Sequence, residues 1–313
     1  MTRAPVGEMS DGMDVGVHLP LIPFDGRPPS SADLQATADA ARRLGFAALA
    51  ANDHLVFSRP WLDGPTALAA VIAQSGDLDL ATTVALPVVR GAGATAKALA
   101  AIDLLSGGRL LAGVGPGSSA ADYELAGVPF DERWPRFDAS VRELRQLLDG
   151  DGALEPRPFG RVPIWIGSWG SAAGMRRVAR LADGWLASAY NASPAQFGDA
   201  RRRLEEALTE QGRSADAFPN ALATMWTYLT DDAHEADRVL RDVLAPMVRR
   251  EPDLLAERVC VGSAADCAAK LNAYAAEGCR RVYLWPLGDD VRQLELFAER
   301  VLPALGGAYA ARD

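Results

Sequence analysis

The sequence of 313 residues is poor in the groups that carry out chemistry unaided. It has three cysteines (Cys260, Cys267 and Cys279) and three histidines (His18, His54 and His234). No two cysteines form a CxxC, and so sparse and odd a set reads as reduced intracellular thiols, neither a disulfide frame nor a zinc site. No His/Cys/Asp/Glu grouping has metal-ligand spacing, so no metal is expected, and no serine sits in a nucleophile elbow. Apolar runs long enough to cross a bilayer are missing, which excludes a membrane-spanning helix. There is no Lys/Arg-rich run, and the net charge is −9, so nucleic acid is excluded as a partner. The first strand is not followed by Gly-x-Gly-x-x-Gly, which counts against a doubly wound dinucleotide fold. The opening MTRAPVGEMSDG lacks an apolar signal core, so residues 1–12 are expected to be a loose tail and the protein cytoplasmic. Aromatic residues make up only 7%, but 49% of the chain is hydrophobic, ample for a large core.

What is present centres on residues 101–117, AIDLLSGGRLLAGVGPG. This stretch predicts a helix end, a Ser-Gly-Gly turn, a strand over 110–114 and a Gly-Pro-Gly loop. Gly107 and Gly108 supply the positive-φ residues that stop a helix and turn the chain into a strand. Leu110, Leu111 and Val114 make the short apolar run of a strand buried on both faces. Gly115-Pro116-Gly117-Ser118-Ser119 has almost no side-chain bulk, so a flat ligand can lie against its backbone. By glycine content alone it reads first as a plain tight turn.

Strand-like and helix-like runs alternate along the rest of the chain. Strands are expected over 13–19, 47–51, 80–85, 110–114, 164–166, 184–187, 221–229 and 281–285. Ser30-Ser31-Ala32-Asp33 has the form of a capping box opening a helix to residue 44, and Ser193-Pro194 opens another with proline at its favoured first position. Further helices are expected over 66–75, 94–105 and 134–148, with extra helical material over 233–257. Eight strands, each followed by helix, predict a (β/α)8 barrel, a TIM barrel forming a single domain over 13–313.

In such a barrel, chemistry gathers at the C-terminal ends of the strands. That rule selects His18 after the first strand and Asp53-His54 after the second. His54 titrates near neutrality and has a carboxylate beside it in sequence to hold its tautomer or raise its pKa, although the pair can also simply cap a loop. Gly167-Ser168-Trp169-Gly170-Ser171 opens a helix with small residues, which makes either a phosphate cradle or an ordinary serine-capped turn. Val261-Gly262-Ser263 offers a second site of that kind. A histidine, glycine-lined walls and an anion cradle without metal or nucleophile point to a reaction carried by a bound cofactor.

The order of GVHLP (16–20), NDH (52–54), LATTVALP (80–87), LLSGGRLLAGVGPG (104–117), GVPFDER (127–133), VPIWIGS (162–168), LADGW (181–185), VGS (261–263) and RVYLWPLGDD (281–290) resembles the luciferase-like superfamily of flavin and deazaflavin oxidoreductases. Within it the closer likeness is to the coenzyme F420-dependent branch. The resemblance implies a luciferase-like barrel with an insertion near strand seven, usually in a homodimer. It places Asp53 and His54 at the deazaflavin, with His54 as the acid/base. It puts Thr83 and Val84 at a strand-three bulge with a non-proline cis peptide between them, Gly115, Pro116 and Gly117 along the ring, and Gly167, Ser168, Trp169 and Gly170 at the phosphate end.

The sequence also departs from the branch. Ser118 stands where its sugar-phosphate dehydrogenases carry an acid, which disfavours that substrate. Pro116 replaces the arginine of flavin-phosphate-binding luciferases, which disfavours FMN for want of a charge-assisted partner. The Trp that follows the family's His is missing, although Trp61 lies further on; Trp134 takes the place of a small residue. The expectation is therefore an F420-dependent oxidoreductase moving a hydride to or from a small organic molecule, with His18, Trp61 and Trp134 on the substrate side. The alternatives are an FMN-dependent monooxygenase using reduced flavin and O2, and a non-catalytic cofactor-binding barrel.

Overall fold

A computed structural model describes residues 12–150, 154–216 and 218–305. The expected N-terminal tail therefore lies outside the described residues except for Gly12. The strands are β1 (Asp14–His18), β2 (Ala48–Ala51), β3 (Asp79–Ala85), β4 (Leu110–Val114), β5 (Ile164–Gly167), β6 (Gly184–Ser188), β7 (Asn220–Leu229), β8 (Cys260–Gly262) and β9 (Arg281–Pro286). Eight of them close a parallel ring in the order β1-β2-β3-β4-β5-β6-β7-β9 and back to β1. Helices lie between successive strands, as right-handed parallel crossovers require. The (β/α)8 expectation holds.

Alternation along the strands divides the side chains into two sets. One faces the helices and forms the main core, including Val15, Val17, Leu80, Leu110, Val114, Ile164 and Ile166. The other fills the lumen: Ala48, Ala50, Ala81 and Ala221 leave room for Leu111, Trp165, Leu186 and Tyr283. Glycines on the strands serve the same packing. A Cβ at Gly184 would stand 2.4 Å from the Trp165 ring, and one at Gly16 would stand 2.6 Å from that of Tyr283. At the floor of the lumen, the fully buried Arg281 donates to Asp14 at 2.8 Å and Asp79 at 3.1 Å, so charges from β9, β1 and β3 close the bottom of the barrel.

Local rules account for the element ends. Ser30 and Asp33 form the expected capping box on the helix Ser31–Arg43, as do Ser193 and Gln196 on Pro194–Glu210. Gly107 and Gly108 both have positive φ, at 70° and 80°. Two expectations need correction. The helix expected over 66–75 is Gly64–Ala70, because Asp63 accepts the Thr66 N–H and Pro65 suits the first turn. The sequence reading also missed β8, three residues that pair with β7 above the point where β6 ends. The material between β7 and β8 is the expected helical insertion, Ala233–Arg238 through a π-helical Val239–Leu244 to Pro252–Arg258.

Candidate active site

At the C-terminal mouth, the lumen positions continue upward from Gly16 to His18, from Leu111 through Gly113 to Gly115, from Trp165 to Gly167 and from Tyr283 to Trp285. One side of the mouth is smooth. Strand β3 bulges there, its register slipping between the pairs Thr82–Ala112 and Ala85–Val114, and the Thr83–Val84 peptide is cis. Val84 is half-buried between β4 and β5. A Cβ at Gly115 would meet its Cγ2 at 2.7 Å, and one at Gly167 would meet its Cγ1 at 3.0 Å. Only glycine allows this close approach, so the wall is backbone and one valine. Pro116 is buried beyond it, its carbonyl accepting from the Tyr123 hydroxyl.

The opposite side is aromatic. Trp226 of β7 is in register with Trp285 of β9, their rings stack at 4.4 Å, and His18 of β1 stacks on Trp285 at 4.2 Å with planes 9° apart. Burial pushes the His18 pKa down to about 3, so the ring is neutral. Its Nε2 accepts the Thr224 N–H at 3.4 Å and lies 3.3 Å from the Thr83 hydroxyl, which puts the proton on Nδ1. That Nδ1 and the indole nitrogens of Trp226 and Trp285 have no partner among the described residues.

Trp61 links this ledge to His54. Its ring stands edge-on to Trp285 at 5.4 Å and to His54 at 4.6 Å, with Phe57 4.8 Å from His54. The carboxylate that holds His54 is not its sequence neighbour. Asp122, on the short helix Ala120–Leu125 beyond β4, accepts from His54 Nδ1 at 2.7 Å and from the Leu55 and Val56 N–H groups at 2.8 and 2.7 Å. Burial works to raise the Asp122 pKa, but His54 and these N–H groups outweigh it and hold the carboxyl below its ordinary range. An ionised carboxylate only accepts, so His54 carries its proton on Nδ1 and leaves Nε2 for chemistry.

Asp53, expected to orient His54, is otherwise engaged. It forms a two-point pair with Arg90, Oδ2 to Nε and Oδ1 to Nη2 both at 2.5 Å, and Arg90 also reaches Asp63. Its side chain is 2% exposed. Adjacency in sequence does not bring the two side chains together, because neighbours leave the backbone in different directions. Of the other expected residues, Trp134 lies apart from the aromatic chain, its ring over Arg177 and beside Arg133. The Ser168 and Ser171 hydroxyls accept local N–H groups of the 167–171 loop and the following helix, Ala172–Leu181. Ser263, in the second expected anion loop, donates to Asp266 at the head of its own helix, so that turn already carries an acid. Asp122, Phe57, Arg90, Trp226 and Trp285 were not among the expected site residues. A cavity of about 230 Å³ lies elsewhere, between the 20–29 loop and Gly288–Val291, and contains neither His54 nor the glycine wall. Among the described residues there is no His/Cys/Asp/Glu cluster able to hold a metal, and no helix is long and apolar enough to cross a membrane.

Comparison with known proteins agrees with the fold and the motifs. The family model for luciferase-like monooxygenases matches residues 13–281. An F420-dependent glucose-6-phosphate dehydrogenase of Nakamurella multipartita is 28% identical, over 89% of this chain and 93% of that one. A 5,10-methylenetetrahydromethanopterin reductase of Archaeoglobus fulgidus is 30% identical over 52% of each. Among solved structures, an F420-dependent secondary alcohol dehydrogenase in complex with an F420-acetone adduct superposes with a TM-score of 0.82 at 17% identity, over 96% of this chain and all of that one. A monooxygenase from Streptomyces bottropensis reaches 0.78 at 22%, covering 93% and 99%.

Proposed function

Because the chain belongs to the luciferase-like monooxygenase family, we propose that it is an F420-dependent oxidoreductase exchanging a hydride with a small organic substrate, with His54 handling the proton. The carrying observation is the His54–Asp122 pair, contributed from beyond β2 and β4 to the same mouth as a wall of Gly115, Gly167 and Val84. The residues fit the cofactor. The wall is flat enough for a planar ring to lie on it, and a Cβ at either glycine that flattens it would displace Val84. When bound, the deazaflavin supplies the ring carbon that takes up or releases hydride.

The protein's own contribution follows from the geometry. Asp122 fixes the His54 ring and stabilises its charged form, so Nε2 can take a proton from an alcohol or give one to a carbonyl. Trp61, backed edge-on by Trp285, and Phe57 cover His54 with apolar surface, which keeps water from the transferring groups. Arg90 neutralises Asp53, which leaves Asp122 as the carboxylate paired with His54. This reading takes the protein as a cytoplasmic homodimer with residues 13–313 acting as one unit. Buried, unpaired Cys260, Cys267 and Cys279 accord with a reducing compartment.

Fluorescence titration of the apo-protein with oxidised F420 and with FMN, under matched conditions, tests the cofactor. A preference for F420 is expected. A preference for FMN would move the protein to the monooxygenase reading despite Pro116, and binding of neither would overturn both. Turnover retained in full by His54→Ala would remove His54 from the reaction.

A further inference from the structure

Outside the mouth, at the far end of the 167–171 loop, three arginines gather without an acidic partner among the described residues. Many arginines of this acid-rich chain find carboxylates, as Arg145 and Arg161 do with Asp183 and Arg180 with Asp138, while single ones such as Arg142 and Arg213 rest on backbone carbonyls. Arg203, Arg250 and Arg258 are held instead by neutral groups. Arg203, on the helix Pro194–Glu210, donates to the Gly170 carbonyl at 3.3 Å. Arg250, in the insertion, donates from Nε and Nη2 to Asn191 Oδ1 at 3.1 and 2.7 Å, and its guanidinium lies 5.7 Å from the centre of the Trp169 ring. Arg258, at the end of the insertion, donates to the Tyr190 carbonyl at 3.3 Å, is only 9% exposed, and has no partner for its Nε.

A carbonyl or amide oxygen orients a guanidinium but leaves its charge in place. Three such charges from two separate elements therefore converge on the turns after β5 and β6. Trp169 stands among them with 57% of its surface exposed, a flat platform flanked by Arg250. The N-terminus of Ala172–Leu181 adds a partial positive charge at the same place. One phosphate needs one such fork, whereas three forks separated along two turns suit a run of anionic groups.

We propose that Arg203, Arg250 and Arg258, with Trp169, form a binding site for an oligocarboxylate chain: the anionic tail that distinguishes coenzyme F420 from its bare deazaflavin ring. The proposal rests on the cofactor reading above and adds a role for the insertion. The same loop that packs on Val84 at Gly167 leads outward to Trp169, so the ring wall and the tail site are two ends of one segment.

Fluorescence titration of the full chain with F420 and with the deazaflavin alcohol that lacks phosphate and glutamates tests this. The wild type should bind F420 more tightly, and its advantage should shrink as salt is raised. Arg250→Gln and Trp169→Ala should each weaken F420 about tenfold, as loss of a charged contact does, and leave the tail-free compound unchanged. Melting temperatures close to that of the wild type would show that both variants are folded, and Arg203→Gln is an independent second position. If the variants bind F420 as the wild type does, or weaken both ligands equally, the tail site is overturned while the cofactor reading stands. If the wild type binds neither compound, both readings fall.

Discussion

Asp122 carries the residue-scale argument, because it decides which nitrogen of His54 is left to react. Asp122→Asn keeps the shape and can still accept the Leu55 and Val56 N–H groups, but no longer stabilises a charged His54. We expect kcat to fall roughly 10- to 100-fold with little change in F420 affinity, the range over which general acid–base groups act. Steady-state kinetics beside a cofactor titration would check it, and an equal loss in both would make the residue merely structural. His18 makes a prediction about stability. In the unfolded chain it takes up a proton near its ordinary 6.5, whereas the folded protein keeps it neutral down to about 3. The unfolded state thus binds more protons across that interval, and the contribution is lost as pH falls, by about 1.4 kcal/mol per pH unit. Urea denaturation of the wild type and His18→Asn should show the difference in stability moving in favour of the variant between pH 6.5 and 4. Parallel pH profiles would show that His18 is not held neutral.

At the scale of elements, the strands were legible because each is a short apolar run bounded by glycine, serine or proline, and the runs recur with helices between them. The β8 strand was not. Cys260-Val261-Gly262 has too few residues for a period, and it exists as a strand only because β7 runs on past the end of β6 and offers it an edge. Gly113 shows how tightly β3 and β4 are fitted beneath the bulge. A Cβ there would stand 2.0 Å from the Thr82 carbonyl oxygen and 2.4 Å from Leu186 Cδ1, and the first of these is backbone. Gly113→Ala should therefore cost about 3 kcal/mol or more, the upper end for overpacking, and push the Val84 wall out of place. A melting curve and an F420 titration together would test it, and a variant of normal stability would show that β3 can shift.

On the scale of the whole molecule, closing the barrel converts eight separate strand ends into one mouth, and the helices outside it present surfaces of different character. Ala92–Ser106 is unusual in exposing Leu104 and Leu105, 39% and 69% accessible, beside alanines. In the homodimer proposed above, Leu105→Glu should leave folding intact and shift the protein toward monomer in sedimentation velocity. An unchanged sedimentation profile would move the interface elsewhere.

Sequence alone determined the fold class and the order of the eight barrel strands, since these follow from local periodicity and turn chemistry. It also singled out His54. Tertiary structure decided the partners. Asp122 is 68 residues from His54 in the chain and meets it only because β2 and β4 end at the same mouth. Asp53 turns away to Arg90, 37 residues on, and the insertion brings Arg250 to Trp169. Propensity acts over a few residues, whereas the pairing of two side chains depends on how the ring closes, and no local pattern encodes that.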